Sequence, residues 1–277
     1  MYGSDVNELV TFRDGALGPA FVRGQRLRFR IPWGFVAGVV AILVAAEAIA
    51  IAVLYIGPSP YLHLGMDWEF YRDLGARWLA NGSYYQPHQL IGPYVFTTMV
   101  DNMYPPHALL LFVPFVFVPA VLWWIIPVSI VGYVLARIRP APWAWLVMLV
   151  LLAWPRSIAD VLTGNTDMWV VAIIAAAIRW GWPAIFVTIK PTFAPIVALG
   201  IAKRWQTAIA VLALVIVALG ALPLWFDYAK IISNVTIDPG YSLVSTPLLL
   251  IPIVARMSTI RRGPVDRAGS GGIPAAA

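Results

Sequence analysis

PPHALLLFVPFVFVPAVLWWIIPVSIVGYVLAR, residues 105–137, carries no Asp, Glu, Lys or Arg before Arg137 and is longer than the ~20 apolar residues that cross a bilayer core. It reads either as one long tilted helix or as two helices breaking near Pro119, where a proline ring clashes with the preceding turn. The choice sets the side of every later loop. Cytoplasmic loops hold the Lys/Arg excess of a membrane protein. Two helices put the Arg-rich N-terminus, Arg156, Lys203, Arg204, Arg256, Arg261 and Arg262 inside, and Arg72, Arg77, Arg137, Arg139, Arg179 and Lys230 outside. One helix reverses everything after it and exports Lys203 and Arg204, so the two-helix reading is favoured.

Composition points the same way. Of 277 residues 61% are hydrophobic and 12% charged, and mean hydropathy is +0.80, whereas soluble domains hold roughly 45–50% apolar and ~25% charged residues. The net charge of +6 comes from Lys and Arg at the ends of apolar runs, not from a basic stripe, which excludes nucleic acid as partner. The absence of cysteine excludes disulfides, thiolate metal sites and thiol nucleophiles. His63, His88 and His107 are too scattered for a metal centre, and no cofactor is expected.

Apolar runs recur at 34–56, 105–118, 120–137, 141–155, 167–180, 182–200, 205–226 and 246–257. In lipid each must be helical, because only bonds within the segment satisfy its backbone. The expected fold is an all-α integral membrane protein, a polytopic bundle of about eight transmembrane helices with a long external first loop. Residues 1–33 form a cytoplasmic basic N-terminus, 34–257 the transmembrane domain with external loop 57–104, and 258–277 a disordered Gly/Pro/Ala tail. The run 34–56 follows Arg23, Arg26, Arg28 and Arg30 with no small-residue cleavage pattern, as in a retained signal anchor. Trp33, Trp143, Trp154, Trp180, Trp182, Trp205 and Trp225 lie near proposed span ends, as an interfacial belt would.

The loop 57–104 far exceeds the usual connection of ~4–6 residues. In it Phe70, Tyr71, Leu74 and Trp78 recur at helical spacing before Asn81-Gly82, which predicts a short amphipathic helix at 68–80 lying on the outer membrane face. A second external loop spans 227–245.

Three constellations carry chemistry, and each has a bland reading beside the functional one. Asp67 is an N-cap for the 68–80 helix, or a carboxylate that takes a proton from an attacking hydroxyl. Asp73 and Asp101 are competing carboxylates of the same loop, read as solvated. Tyr104-Pro105-Pro106 is a helix start, since Pro at the first position sacrifices no bond. Lys190, next to Pro191 inside a span, snorkels, pairs with Glu47, or meets an anionic lipid or phosphate. Gly164-Asn165-Thr166-Asp167 suffices as a turn and N-cap. Asn81-Gly82-Ser83 and Asn234-Val235-Thr236 match the glycosylation pattern, a signal too common to use.

The order of Asp67 to Tyr85, Tyr104-Pro105-Pro106, Gly164-Asn165 and Lys190-Pro191 followed by Lys203-Arg204-Trp205 resembles the GT-C superfamily of membrane glycosyltransferases. The nearest branch is that of the polyprenyl-phosphate-mannose-dependent α-mannosyltransferases. The match covers about 60–235, and about eight spans stand here against about ten or more in members of that family, as expected of a short form, a fragment or an inactive relative. The resemblance implies a GT-C-like fold and an inverting transfer of a hexose such as mannose from a polyprenyl-phosphate donor to a lipid or glycan acceptor. It implies Asp67 as catalytic base, Lys190 as donor-phosphate ligand, and Tyr71, Tyr104 and Asn165 as further site residues, with no metal. It also implies a multi-pass protein of a prokaryotic plasma membrane, its site external and among membrane lipids. A small-solute transporter or flippase would show internal repeats, and none is seen; a non-catalytic membrane scaffold is the other alternative.

Overall fold

The computed structural model describes residues 63–97, 99–236 and 246–260, all within one compact unit, Val40–Ala277. The basic N-terminus, the anchor 34–56 with Glu47, residues 237–245 of the second loop and the tail 261–277 lie outside the described residues. What is described is almost wholly helical: α1 (Met66–Asn81), α2 (Pro87–Ile91), α3 (Pro106–Val116), α4 (Leu122–Ile138), α5 (Pro142–Leu152), α6 (Pro155–Thr163) and α7 (Asp167–Trp180). Two 3₁₀ arms follow, Trp182–Ile189 and Pro191–Lys203, then α8 (Arg204–Gly220), α9 (Leu222–Asn234), α10 (Thr246–Leu249) and α11 (Ile251–Ile260). β1 (Tyr94–Val95) pairs in parallel with β2 (Val235–Thr236).

Local sequence explains the boundaries. Pro142 and Pro155 occupy first-turn positions of α5 and α6, where a missing N–H sacrifices nothing. Gly82 and Gly164 end α1 and α6 in the left-handed region, as helix-terminating glycines do. The expected break after the first apolar run falls between Val116 and Leu122.

Contacts sort the helix ends into two sets. At one end Gly65 N–H donates to Leu162 O (3.0 Å), and Trp123 Nε1 and Trp124 Nε1 donate to Gly164 O and Val161 O (both 2.7 Å). Lys190 meets Asp167 there, and β1 meets β2. At the other end Ala141 N–H donates to Ser258 Oγ (3.1 Å), Tyr133 stacks on Trp180 (6.0 Å), and Trp182 and Gln206 line one groove. So α4, α5, α7, both 3₁₀ arms, α8 and the α10–α11 pair run between the two ends.

α3 does not. Its first turn reaches Thr188, through His107 Nε2 (3.1 Å), and its last turn puts Phe115 against Trp123 and Trp169 (4.8 and 5.4 Å). Both contacts are at the loop end of the bundle, so α3 lies along that end and the run 105–118 is not a pass. The run 182–200, taken as a single span, is instead a hairpin of two arms packed side by side and turning at Lys190-Pro191. These two corrections cancel in parity. Arg156 moves to the end that carries the first loop, Arg137, Arg139 and Arg179 move to the end that carries Lys203 and Arg204, and Lys190 sits at an end instead of mid-span.

No single described helix is long and apolar enough to cross a membrane; two pairs pass together but are bent, α5–α6 by 71° and α8–α9 by 90°. At ~1.5 Å per residue the 17-residue α4 spans about 26 Å. The apolar surface is nevertheless open. Of the α8 side chains described, only Ala210 is buried, while Leu212, Ile216 and Leu219 are 60%, 61% and 63% exposed.

The first loop is ordered by its own polar bonds. Gln89, wholly buried, donates to Asn102 O (3.1 Å) and accepts from Asn102 N–H (3.3 Å). Arg77 donates to Ser83 O and Tyr84 O. The aromatic stripe of α1 meets protein instead of an open face: Tyr71 stacks on Phe112 (4.9 Å), and Gly75 lies so close to α3 that a Cβ there would come within 3.1 Å of Val116.

Candidate functional site

At the loop end of the bundle a cavity of about 320 Å³ opens between α1, the stretch Phe96–Tyr104, the α6–α7 junction, the Lys190 turn and α9. That volume is at the lower end of small-molecule sites, ~300–1,000 Å³. Asp67, Tyr71, Tyr104, Asn165 and Lys190 all line it, residues up to 123 positions apart in the chain.

Asp67 is not the N-cap of α1. That position belongs to Gly65, in the left-handed region at φ 81°, and Asp67 falls in the first turn with no capping bond. Its negative charge still favours the helix end. The carboxylate, 5% exposed, points across to the α6–α7 junction, where Oδ2 accepts from Thr163 Oγ1 (2.6 Å) and Asn165 Nδ2 (2.9 Å). Oδ1 accepts no hydrogen bond among the described residues. One oxygen is anchored and the other is open for a proton.

Asn165 does more than turn the chain. Its Oδ1 accepts from Lys190 Nζ (3.0 Å) and from the Asp167 N–H (3.1 Å), and its Nδ2 reaches Asp67. Lys190 also donates to Asp167 Oδ1 (2.7 Å), a buried carboxylate. A lysine with so little exposure calls for a partner of opposite charge, and Asp167 fills that role where Glu47 was one candidate. The two tyrosines form a second chain: Tyr71 and Tyr104 hydroxyls are 3.0 Å apart, and Tyr104 is 2.8 Å from Thr166 Oγ1. Burial, the largest effect, pushes both phenols above their ordinary range, so both stay protonated and act as donors.

The competing carboxylates separate. Asp73 is exposed and pairs with Arg72. Asp101 is not solvated: it is 3% exposed, lines the cavity, and is held by His88 Nε2 (2.7 Å) and the Thr97 N–H (2.7 Å). Burial beside an imidazole and a backbone donor replaces its water.

Sequence reasoning missed Thr163, Thr166 and above all Arg156, which lines the cavity from the first turn of α6 with Nε 3.0 Å from Asp160 Oδ1. A lone arginine between two apolar runs reads as a topology mark, and only the spacing Arg156/Asp160, one helical turn, signals an oriented pair. Among the described residues no three His, Asp or Glu side chains gather as metal ligands. Compared with known proteins, the chain matches no family, no curated protein and no solved structure.

Proposed function

We propose that this chain is a membrane-embedded glycosyltransferase of the GT-C type. It transfers a sugar, a hexose such as mannose, from a polyprenyl-phosphate donor to a lipid or glycan acceptor at the outer membrane face.

Two features support residence in the membrane. An apolar helix exposed on nearly all sides, as α8 is, has no favourable environment in water. The charges are also sorted by end. Every described Asp and Glu belongs to the cavity end, while the opposite end carries residues Arg137, Arg139, Arg179, Lys203, Arg204 and Arg256 and no described carboxylate. Under the positive-inside rule that basic end is cytoplasmic and the cavity opens outward.

The observation that carries the chemistry is the Asp67 carboxylate, anchored through Oδ2 and open at Oδ1 in a cavity beside two cations. Asp67 Oδ1 takes the proton of the acceptor hydroxyl as its oxygen bonds to the anomeric carbon. The bond from that carbon to the phosphate oxygen breaks, and its electron pair leaves with the polyprenyl phosphate, so the configuration inverts. The cations lower the energy of the departing charge. Phe70, Phe96, Phe193 and Tyr228 supply apolar wall for the sugar and the first prenyl units.

The test is transfer of labelled sugar from polyprenyl-phosphate donors in membranes at matched expression. An Asn at position 67 still accepts the Thr163 and Asn165 bonds through its amide oxygen, so Asp67→Asn keeps the fold, yet it loses proton abstraction, roughly 10²–10⁴-fold in rate. Full activity in Asp67→Asn would remove the base. The broken helix at Lys190-Pro191 favours a second reading, a small-solute transporter, since such proteins place ion sites at helix breaks; no transfer by the native chain, with solute uptake in vesicles, would support it.

A further inference from the structure

Two cations share the cavity with Asp67, and their surroundings differ. Lys190 has an ammonium with three donors, of which one goes to Asp167 and one to Asn165. Its side chain is 19% exposed and its charge is matched by a carboxylate 2.7 Å away. Arg156 is 40% exposed, and its one charged partner shown is the buried Asp160, 3.0 Å from Nε as an ion pair without an aligned hydrogen bond. Its Nη1 and Nη2 have no hydrogen-bond partner among the described residues, so the outer edge of the guanidinium is open in a wall of the cavity. That edge is a planar fork matched to two phosphate oxygens, which a lysine point charge is not.

We infer that Arg156 is the phosphate ligand of this cavity, binding the phosphate ester of a lipid-linked substrate through Nη1 and Nη2, and that Lys190 acts instead through Asn165 as a positioning residue for Asp67. The lipid-linked nature of the ligand rests on the glycosyltransferase reading; the anion site itself rests on the guanidinium edge. Asp160 orients the fork as the carboxylate of an ion pair orients its partner. Lys190, by fixing the Asn165 oxygen, turns the Asn165 amide nitrogen toward Asp67 Oδ2. The other ionisable groups on the cavity wall are Tyr71, Asp101, Tyr104, Asp167 and Tyr228.

Equilibrium binding of a polyprenyl phosphate to the purified chain in phosphatidylcholine nanodiscs tests this without turnover. Arg156→Gln should weaken binding by about 10- to 100-fold, the worth of hydrogen bonds to a charged group. Arg156→Lys keeps a cation for Asp160, which protects the fold, but lacks the fork and should lose about tenfold. Lys190→Gln should bind within about threefold of native, and in the sugar-transfer assay should lower kcat with KM little changed, whereas Arg156→Gln should raise KM. Native-like binding by Arg156→Lys and Arg156→Gln, or loss of binding in Lys190→Gln equal to that in Arg156→Gln, would overturn the assignment. Displacement of the lipid by an equal concentration of inorganic phosphate would overturn its lipid-linked part. Native binding that depends on Arg156 without sugar transfer would sink the transferase reading alone.

Discussion

The amide of Asn165 can point only one way, because Lys190 Nζ and the Asp167 N–H both donate to its oxygen, at 3.0 and 3.1 Å, and an amide nitrogen offers neither a lone pair. The nitrogen is therefore left for Asp67 Oδ2, and Oδ1 is the oxygen of that carboxylate with no hydrogen bond among the described residues. Gly164 makes this placement possible. It sits at φ +78°, its carbonyl accepts from Trp123, and a Cβ there would lie 2.9 Å from Trp124 Cζ2 and 3.0 Å from Trp68 Cβ. Gly164→Ala should cost about 1–3 kcal/mol in backbone strain, with overpacking in addition, and should displace Asn165 as well. The expected outcome is a lower thermal midpoint in detergent together with lost transfer activity. An unchanged midpoint would show that the junction yields more easily than its packing indicates.

At the scale of elements, the first loop is held by phenols that ionise only at a penalty. Burial, the largest effect at each, raises the pKa of Tyr71, Tyr84, Tyr85 and Tyr104 above 10.0. A group whose folded value is raised stabilises fully below its unfolded value, and the contribution is lost as pH rises above that value, because the unfolded phenol ionises first. The structure should hold up to about pH 10 and then open cooperatively. The part of the ultraviolet difference absorbance lost in Phe variants of these four tyrosines should rise together with the change in tryptophan fluorescence that reports the fold; its appearance near pH 10 in an intact fold would contradict this. Much of this level was legible in the sequence. The runs 120–137 and 167–180 became α4 and α7, and Asn81-Gly82 closes α1, since charge, Gly and Pro mark helix ends wherever they fall. What hydropathy cannot tell is whether a segment is apolar because it faces lipid or because it faces protein. Phe112 and Phe115 made 105–118 look like a pass, yet they pack against Tyr71, Trp123 and Trp169. The polar α6 carried no periodic apolar signal long enough to stand out. The candidate site was legible as residue types, in Asp67, Asn165 and Lys190, but not as bonds, because a pairing across 98 positions leaves no local trace.

For the whole molecule, sorting the helix ends gives a labelling pattern opposite in part to the one hydropathy suggests. Single cysteines in this cysteine-free chain report it directly. Arg139→Cys and Lys203→Cys should react with an impermeant thiol reagent only from the cytoplasmic side, and Asp73→Cys and Trp154→Cys only from the outside. Labelling of position 139 from the outside would break the end assignment, and labelling of all four from one side would mean that the bundle does not cross a bilayer. The pairing of Tyr94-Val95 with Val235-Thr236 has a consequence for biosynthesis. Roughly 140 residues separate the two strands, which at ~5–20 residues per second means about 7–30 s of translation. The first loop emerges early but cannot close until α9 has been made, so a ribosome stalled before residue 235 would leave an open loop, exposed to proteases and chaperones.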